Sequence, residues 1–204
     1  QRIKDKVRLK NLKISVRNYL ENKSIKAMVN ILYAKDDWAG IQNLINTYGF
    51  GPVKPNTIYF EFNSEKNHLS DLTKVIFQAS QNDKNIMIFI DNNYNISEKE
   101  NINVFWGGHK QNIGFMIAMA IMLQEEINGQ DNHVMINSAV TEKEKKEIQM
   151  QYISTFIDEA RIKATPNILL ANKTPVFEKL KAESKKGKLN FLGLKAIEEN
   201  ESLE

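Results

Sequence analysis

The chain has 204 residues, of which 42% are hydrophobic and 26% charged, a composition typical of one globular domain rather than of a disordered chain. Its longest uninterrupted apolar stretch, residues 115–123, is far shorter than the ~20 residues that a membrane-spanning helix needs. The absence of cysteine excludes disulfides and thiolate chemistry, and a net charge of +3 is too small to indicate nucleic acid as a partner.

Basic residues are concentrated at the start of the chain, where residues 1–26 carry nine of them against two acidic ones. We expect a single domain: a basic N-terminal helix over 1–24, an α/β core over 25–197, and an acidic tail over 198–204 that ends like a cloning remnant. Because the chain starts without Met, we also expect it to be a fragment. The basic segment has two interpretations, a solvated amphipathic helix or a face close to an anionic membrane surface.

In the first half of the chain, apolar periodicity predicts helices and strands in alternation. The predicted helices cover residues 3–22, 36–48 and 69–79, and the predicted strands cover residues 27–34, 57–62 and 85–91. Asp36 is a candidate N-cap for the second helix, and Gly49 follows its end. The segment 27–34, with the sequence AMVNILYA, is short, apolar and typical of a buried strand.

The second half continues the same alternation. Strands are predicted over residues 102–106, 133–139, 167–171 and 189–194, and helices over 113–127, over 141–160 and from residue 174 onward. Thr141 and Glu144 form a candidate capping box, and the stripe of the following helix runs from Ile148 through Ile153 to Ile157. Strands that are apolar on both faces and alternate with helices predict an α/β fold, with a mainly parallel sheet and helices on both faces.

The usual motifs of catalysis and cofactor binding are missing from the sequence. There is no Walker loop and no Gly-x-Ser-x-Gly elbow, and the glycines at 49 and 51 do not form a dinucleotide fingerprint. The three histidines are far apart and lack the spacing of a zinc site. We therefore predict no catalytic residue, no cofactor and no metal.

One constellation nevertheless resembles a phospho-acceptor receiver domain. Its polar residues follow predicted strands and are Asp36, Asp37, Asp91, Ser138 and residues 173–175. Strand ends of a parallel sheet converge, so these carboxylates could hold Mg²⁺ beside Asp91 as phosphate acceptor. The segment 92–109 stretches the pattern beyond a compact receiver site, and helix capping accounts for Asp36 and Asp37 without chemistry. A receiver-like or nucleotide-binding switch is the alternative function.

Three separated segments combine glycine with proline or aromatic residues in unusual patterns. The residues in these patterns are Gly49, Gly51, Lys54, Pro55, Asn56 and Thr57 in the first, Ile102, Val104, Phe105, Trp106, Gly107 and Gly108 in the second, and Phe191, Leu192 and Gly193 in the third. The first pattern is typical of a turn, because glycine permits positive φ, proline stiffens the backbone and Asn56 can bond its own backbone. Trp106 is either a core aromatic residue or an anchor at a subunit interface.

In this order, the three segments resemble motifs of the cytosolic C-terminal domain of cation-chloride cotransporters. The family has a Gly-Leu-Gly…Lys-Pro-Asn-Thr turn, an Asn-Ile-Asp-Val-Trp-Trp tract followed by glycines, and a closing Leu-Val-Phe-Leu-Gly strand. The resemblance spans most of residues 25–194. The chain departs from it with Asn103 in place of Asp and with Phe105 in place of Trp.

The resemblance implies a prokaryotic member of this family and a three-layer sandwich like that of universal stress proteins. It further implies a non-catalytic regulatory domain on the cytoplasmic side of the cell membrane. The parent protein would be an integral membrane transporter that moves chloride with sodium or potassium. The implied partners are a second copy of the domain and the transmembrane portion of the parent.

Overall fold

The computed structural model describes residues 2–49, 54–63, 69–91, 101–108, 110–126 and 132–193. The chain divides into two compact units, unit 1 with residues 1–92 and 197–204, and unit 2 with residues 93–196. Each unit contains helices and its own parallel sheet, so the predicted α/β class is confirmed. The assignment of residues 1–24, 25–197 and 198–204 to parts of one domain stays a prediction.

Unit 1 has a two-stranded sheet and three helices in its described part. The elements are α1 (Arg2–Asn22), α2 (Asp37–Thr47), β1 (Thr57–Glu61), α3 (Leu69–Gln81) and β2 (Asn85–Phe89). β1 and β2 pair in parallel, with Thr57 opposite Asn85. Asp36 caps α2 as predicted, since its Oδ1 accepts the Ala39 N–H at 2.9 Å. α2 also contacts α3, because Oδ1 of Asn46 accepts the side-chain amide of Gln78 at 2.8 Å.

The strand predicted at residues 27–34 is wrong. This segment has no strand pairing, and Met28 and Tyr33 are 74% and 81% exposed. A strand is stable only where its backbone amides and carbonyls bond to a neighbouring strand. The described residues of unit 1 pair β1 with β2 alone, so an apolar, β-branched composition is not sufficient here.

Unit 2 is a three-layer sandwich around a four-stranded parallel sheet. Its elements are β3 (Asn101–Phe105), α4 (Lys110–Glu126), β4 (His133–Val140), α5 (Glu144–Ala160), β5 (Ala164–Leu170), α6 (Val176–Ser184) and β6 (Gly187–Leu192). The strand order is β5-β4-β3-β6, so the chain moves outward from β3 to β5 and then returns past β3 to β6. α4 and α5 cover one face of the sheet and α6 lies on the other.

The core of unit 2 lies between the sheet and the helices α4 and α5. Its buried side chains are Ile102, Val104, Trp106, Ile113, Met116, Ile117, Ala120, Val134, Ile136, Ile153, Ile157 and Ile168. Side chains alternate between the two faces of a strand, so Ile102 and Val104 point into this core while Asn103 points to the α6 side. None of the helices among the described residues is both long and apolar enough to cross a membrane.

Two local details of α5 differ from the sequence prediction. Lys143, not Thr141, precedes its first turn, and no side chain caps the helix. The predicted capping box requires the helix to begin directly after Thr141, whereas α5 begins at Glu144, after Lys143 with φ −64° and ψ −36°. Ile148 is exposed because it lies nine positions from Ile157, and nine residues at 3.6 per turn place it on the opposite side of the helix.

Two isoleucines of α5 provide a matched test of this core. Ile153 is fully buried and Ile148 is 70% exposed. We expect Ile153→Ala to lower the free energy of unfolding of unit 2 by about 2–5 kcal/mol, because it leaves a cavity. Ile148→Ala should change it by less than about 0.5 kcal/mol. Urea unfolding followed by circular dichroism measures both, and equal losses would contradict the assigned orientation of α5.

Candidate interaction site

Two of the three predicted motifs meet at the carboxyl ends of neighbouring strands. β3 and β6 pair in parallel, with Val104 opposite Phe191 and Phe105 opposite Leu192. Gly107 and Gly108 follow β3 after Trp106, while Gly193 follows β6. In open parallel sheets, ligands bind outside the carboxyl ends of the strands at the point where the strand order reverses. β3 and β6 flank that point here, and we name this region the β3–β6 edge.

Trp106 lies inside unit 2 and not on its surface. It is 3% exposed, and its ring packs against Tyr152 and Phe156 of α5, at centroid distances of 5.5 and 5.3 Å. Its backbone N–H donates to the carbonyl of Asn137 at 2.8 Å, which extends the pairing of β3 with β4. Phe105 is also buried but precedes Trp106 on the strand, so the two aromatic rings point to opposite faces of the sheet.

The glycines of the β3–β6 edge have different structural roles. Gly108 has a φ of 90°, a conformation that glycine adopts without the strain of a side chain. Gly107 is exposed, and a methyl group placed on it would meet open space. A methyl group on Gly193 would lie 3.4 Å from Asn112 and 3.5 Å from Met116, so the end of β6 passes close to α4.

The remaining motif belongs to unit 1 and leads into β1. Lys54, Pro55 and Asn56 are exposed, and Thr57 is the first residue of the strand. The Lys84 ammonium donates to the Pro55 carbonyl at 2.7 Å, while the Asn85 N–H donates to the Asn56 carbonyl at 2.8 Å. Gly49 is exposed after α2, whereas Gly51 lies outside the described residues. The described part of this motif therefore joins the starts of β1 and β2.

The receiver-like residues fall in two different units, and Asp36 and Asp37 lie at the start of α2 and not after a strand. Asp36, Asp37 and Asp91 belong to unit 1, whereas Ser138 belongs to unit 2. Ser138 is buried within β4, not at its end, and its hydroxyl accepts the Gln149 side-chain amide at 3.1 Å. In the part of the chain that the structure describes, no three His, Asp or Glu side chains could together hold a metal ion. The receiver-like switch stays a prediction.

An unpredicted polar feature lies on the sheet face opposite the core. Each strand of unit 2 contributes one asparagine: Asn167 on β5, Asn137 on β4, Asn103 on β3 and Asn190 on β6. Asn103 and Asn137 are 1% and 0% exposed. Buried amides need partners, because an unsatisfied buried polar group costs about 1–3 kcal/mol. The four residues are named the asparagine chain below.

Each amide of the asparagine chain donates to the next in one direction. Nδ2 of Asn167 donates to Oδ1 of Asn137 at 2.7 Å, and Nδ2 of Asn137 donates to Oδ1 of Asn103 at 3.1 Å. Nδ2 of Asn103 then donates to Oδ1 of Asn190 at 2.9 Å. The chain ends at α6, where Nδ2 of Asn190 donates to the carbonyl of Ser184 at 3.0 Å. Hydrogen bonds between side chains thus cross all four strands of this sheet.

The asparagine chain explains why Asn103 differs from the aspartate of the motif that it resembles. Asn103 accepts from Asn137 and donates to Oδ1 of Asn190 and, at 3.4 Å, to the Glu183 carbonyl. An ionised aspartate accepts hydrogen bonds but cannot donate them. A carboxylate at position 103 would therefore face two acceptor oxygens without a proton between them.

The strand sequences hold a signal that could have revealed this feature. An asparagine interrupts the apolar residues of each strand, as in NINVF, HVMINSAV, ATPNILL and GKLNFL. Next to each of these asparagines in sequence is an apolar residue on the opposite face of the sheet, for example Ile102 and Ile136 in the core. Recognising the row required the strand order and register, which the sequence pattern alone did not supply.

No protein-family model matches the chain, and no curated protein sequence matches it either. The resemblance to cation-chloride cotransporters accordingly stays a prediction that depends on the three segments. Of these, the second and third lie side by side at the β3–β6 edge, and the first lies in unit 1.

Gly187, the first residue of β6, tests how tightly the asparagine chain is packed. A methyl group at this position would overlap Nδ2 of Asn103 and lie 2.8 Å from Oδ1 of Asn190. We expect Gly187→Ala to lower the free energy of unfolding of unit 2 by about 1–3 kcal/mol, as overpacking does. Gly107→Ala is the control, because its methyl group meets open space and should cost nothing. Urea unfolding distinguishes them, and a neutral Gly187→Ala would contradict this packing.

Proposed function

We propose that this chain is a non-catalytic regulatory and dimerisation domain of a sodium- or potassium-coupled chloride cotransporter. The observation behind the proposal is the meeting of two resemblance motifs on paired strands. Residues 101–108 and 187–193 are far apart in sequence, yet Phe105 and Leu192 are register partners. A resemblance in separated segments gains weight when the fold makes them one structural region. On this proposal the domain lies on the cytoplasmic side of the membrane and acts through protein contacts.

Exposed apolar side chains supply surface for such contacts. Leu192 at the β3–β6 edge and Phe177 on α6 are mostly exposed, although large apolar side chains are usually buried. In unit 1, Met28 and Tyr33 are exposed as well. Exposed aromatic residues and methionine are enriched in protein–protein interfaces, which supports a second copy or the rest of the transporter as partner.

Helix α1 has a surface that suits contact with an anionic membrane. Lys6, Lys10, Lys13 and Arg17 recur at spacings of four, three and four, which places them along one side of the helix. Next to them on the helix lie the exposed apolar side chains Val7 and Ile14. A cluster of basic side chains on one side of a helix is attracted to the negative surface of an anionic membrane. We therefore include the membrane surface among the proposed partners.

The dimerisation proposal is tested by sedimentation velocity on the full chain from micromolar to millimolar concentration. We expect a concentration-dependent monomer–dimer equilibrium. A chain that stays monomeric over the whole range would contradict self-association.

Deletion of the domain from the parent transporter tests the regulatory role. It should impair assembly or transport, and unchanged assembly and transport would contradict the regulatory role.

The membrane contact is tested by vesicle cosedimentation with and without anionic lipid. Each basic residue near an anionic surface contributes about 1 kcal/mol, so replacing Lys6, Lys10, Lys13 and Arg17 by Gln should weaken binding by about a hundredfold or more. A control with the same charge change replaces the exposed residues Lys35, Lys143, Lys146 and Lys163. Equal weakening in both variants, or binding that ignores salt, would contradict a specific contact through α1.

A further inference from the structure

Helix α6 contacts the sheet differently from the other two helices of unit 2. None of its nine residues is buried, and Phe177 is 70% exposed. By contrast, α4 buries Ile117 and α5 buries Ile153 in the apolar core. Hydrophobic stabilisation scales with the apolar area that is removed from water, so α6, whose Leu180 is only half-buried, gains less from it than α4 or α5.

Asparagine side chains attach the last turn of α6 to the sheet. Nδ2 of Asn190 donates to the Ser184 carbonyl at 3.0 Å, and Nδ2 of Asn103 donates to the Glu183 carbonyl at 3.4 Å. Nδ2 of Asn167 also donates to Oε1 of Glu183, at 3.3 Å. The last carbonyls of a helix lack donors within the helix, so these amides cap its C-terminus. The described polar contacts between α6 and the asparagines are therefore concentrated at its last turn.

The sheet of unit 2 has contacts of its own that do not involve α6. β3 pairs with β4 and β6, and its apolar face packs against α4 and α5. The links from Asn167 through Asn137 and Asn103 to Asn190 also lie within the sheet. The amide groups that α6 would leave can hydrogen-bond to water instead. Separation of α6 thus leaves the core under α4 and α5 covered, while the α6 side of the sheet carries Phe105 as well as the asparagines.

We propose that α6 opens independently of the sheet of unit 2, and that the asparagine chain is the contact that holds it closed. The opening segment covers residues 172–186. At one end it is bounded by the Ala171 N–H, which donates to the Val140 carbonyl at 2.8 Å. At the other end the buried Gly187 begins β6. Lys173 and Lys185, near the two ends, are exposed.

Native-state hydrogen exchange on the full chain, measured by NMR at increasing low denaturant, tests this proposal. Local opening exposes little surface and depends weakly on denaturant, whereas global unfolding depends on it strongly. We expect the amides of residues 180–184 to exchange faster than those of β3 and β4, with almost no dependence on denaturant. If the amides of α6 exchange at the same rate as those of the sheet and with the same dependence on denaturant, the proposal is overturned. The measurement uses the unmodified chain.

Two variants identify the contact that holds α6. Asn190→Ala removes the bond to the Ser184 carbonyl and the acceptor of the Asn103 amide, and it should speed exchange of α6 by about tenfold, more than it speeds exchange of β3 and β4. Phe177→Ala removes the largest apolar side chain of α6 and should leave exchange of α6 unchanged, because this side chain is exposed. If Phe177→Ala speeds exchange of α6 and Asn190→Ala does not, apolar packing holds the helix. That result would overturn the role of the asparagine chain.

Discussion

The hydrogen bonds of the asparagine chain are the interaction on which the α6 side of unit 2 depends. Four neutral amides, one from each strand, donate in sequence from Asn167 to Asn190 and end on the Ser184 carbonyl. Each such bond contributes only about 1 kcal/mol net, but a buried amide without a partner costs more. The asparagine chain therefore stabilises one strand order and one register, mainly because other strand arrangements would leave buried amides without partners.

The two faces of this sheet contribute to the protein in different ways. The face that packs on α4 and α5 buries apolar side chains such as Ile136 and Ile153, and it supplies most of the hydrophobic stabilisation. The face under α6 carries the asparagine chain beside Phe105, and its hydrogen bonds favour one arrangement of the strands. The β3–β6 edge lies at the carboxyl ends of two strands that carry both faces, so the proposed interaction surface adjoins the layer of α4 and α5 and the α6 layer, for which we propose opening.

The sequence predicted the class of the fold because alternation of helix and strand patterns is local information. Both residues of the register pair Phe105 and Leu192 were singled out, but their proximity depends on the return of the chain past β3, which no local pattern encodes. The strand predicted at 27–34 was wrong for a related reason. The composition of a segment cannot show whether a neighbouring strand exists to pair with it. The asparagine chain was missed because its residues are separated by up to 87 positions.

NMR of the side-chain amide groups tests whether the four asparagines form one hydrogen-bonded chain. We expect the Nδ2 protons of Asn103 and Asn137 to exchange with water far more slowly than those of Asn11 and Asn18, which lie exposed on α1. Side-chain amide exchange at Asn103 and Asn137 as fast as at these exposed residues would contradict it.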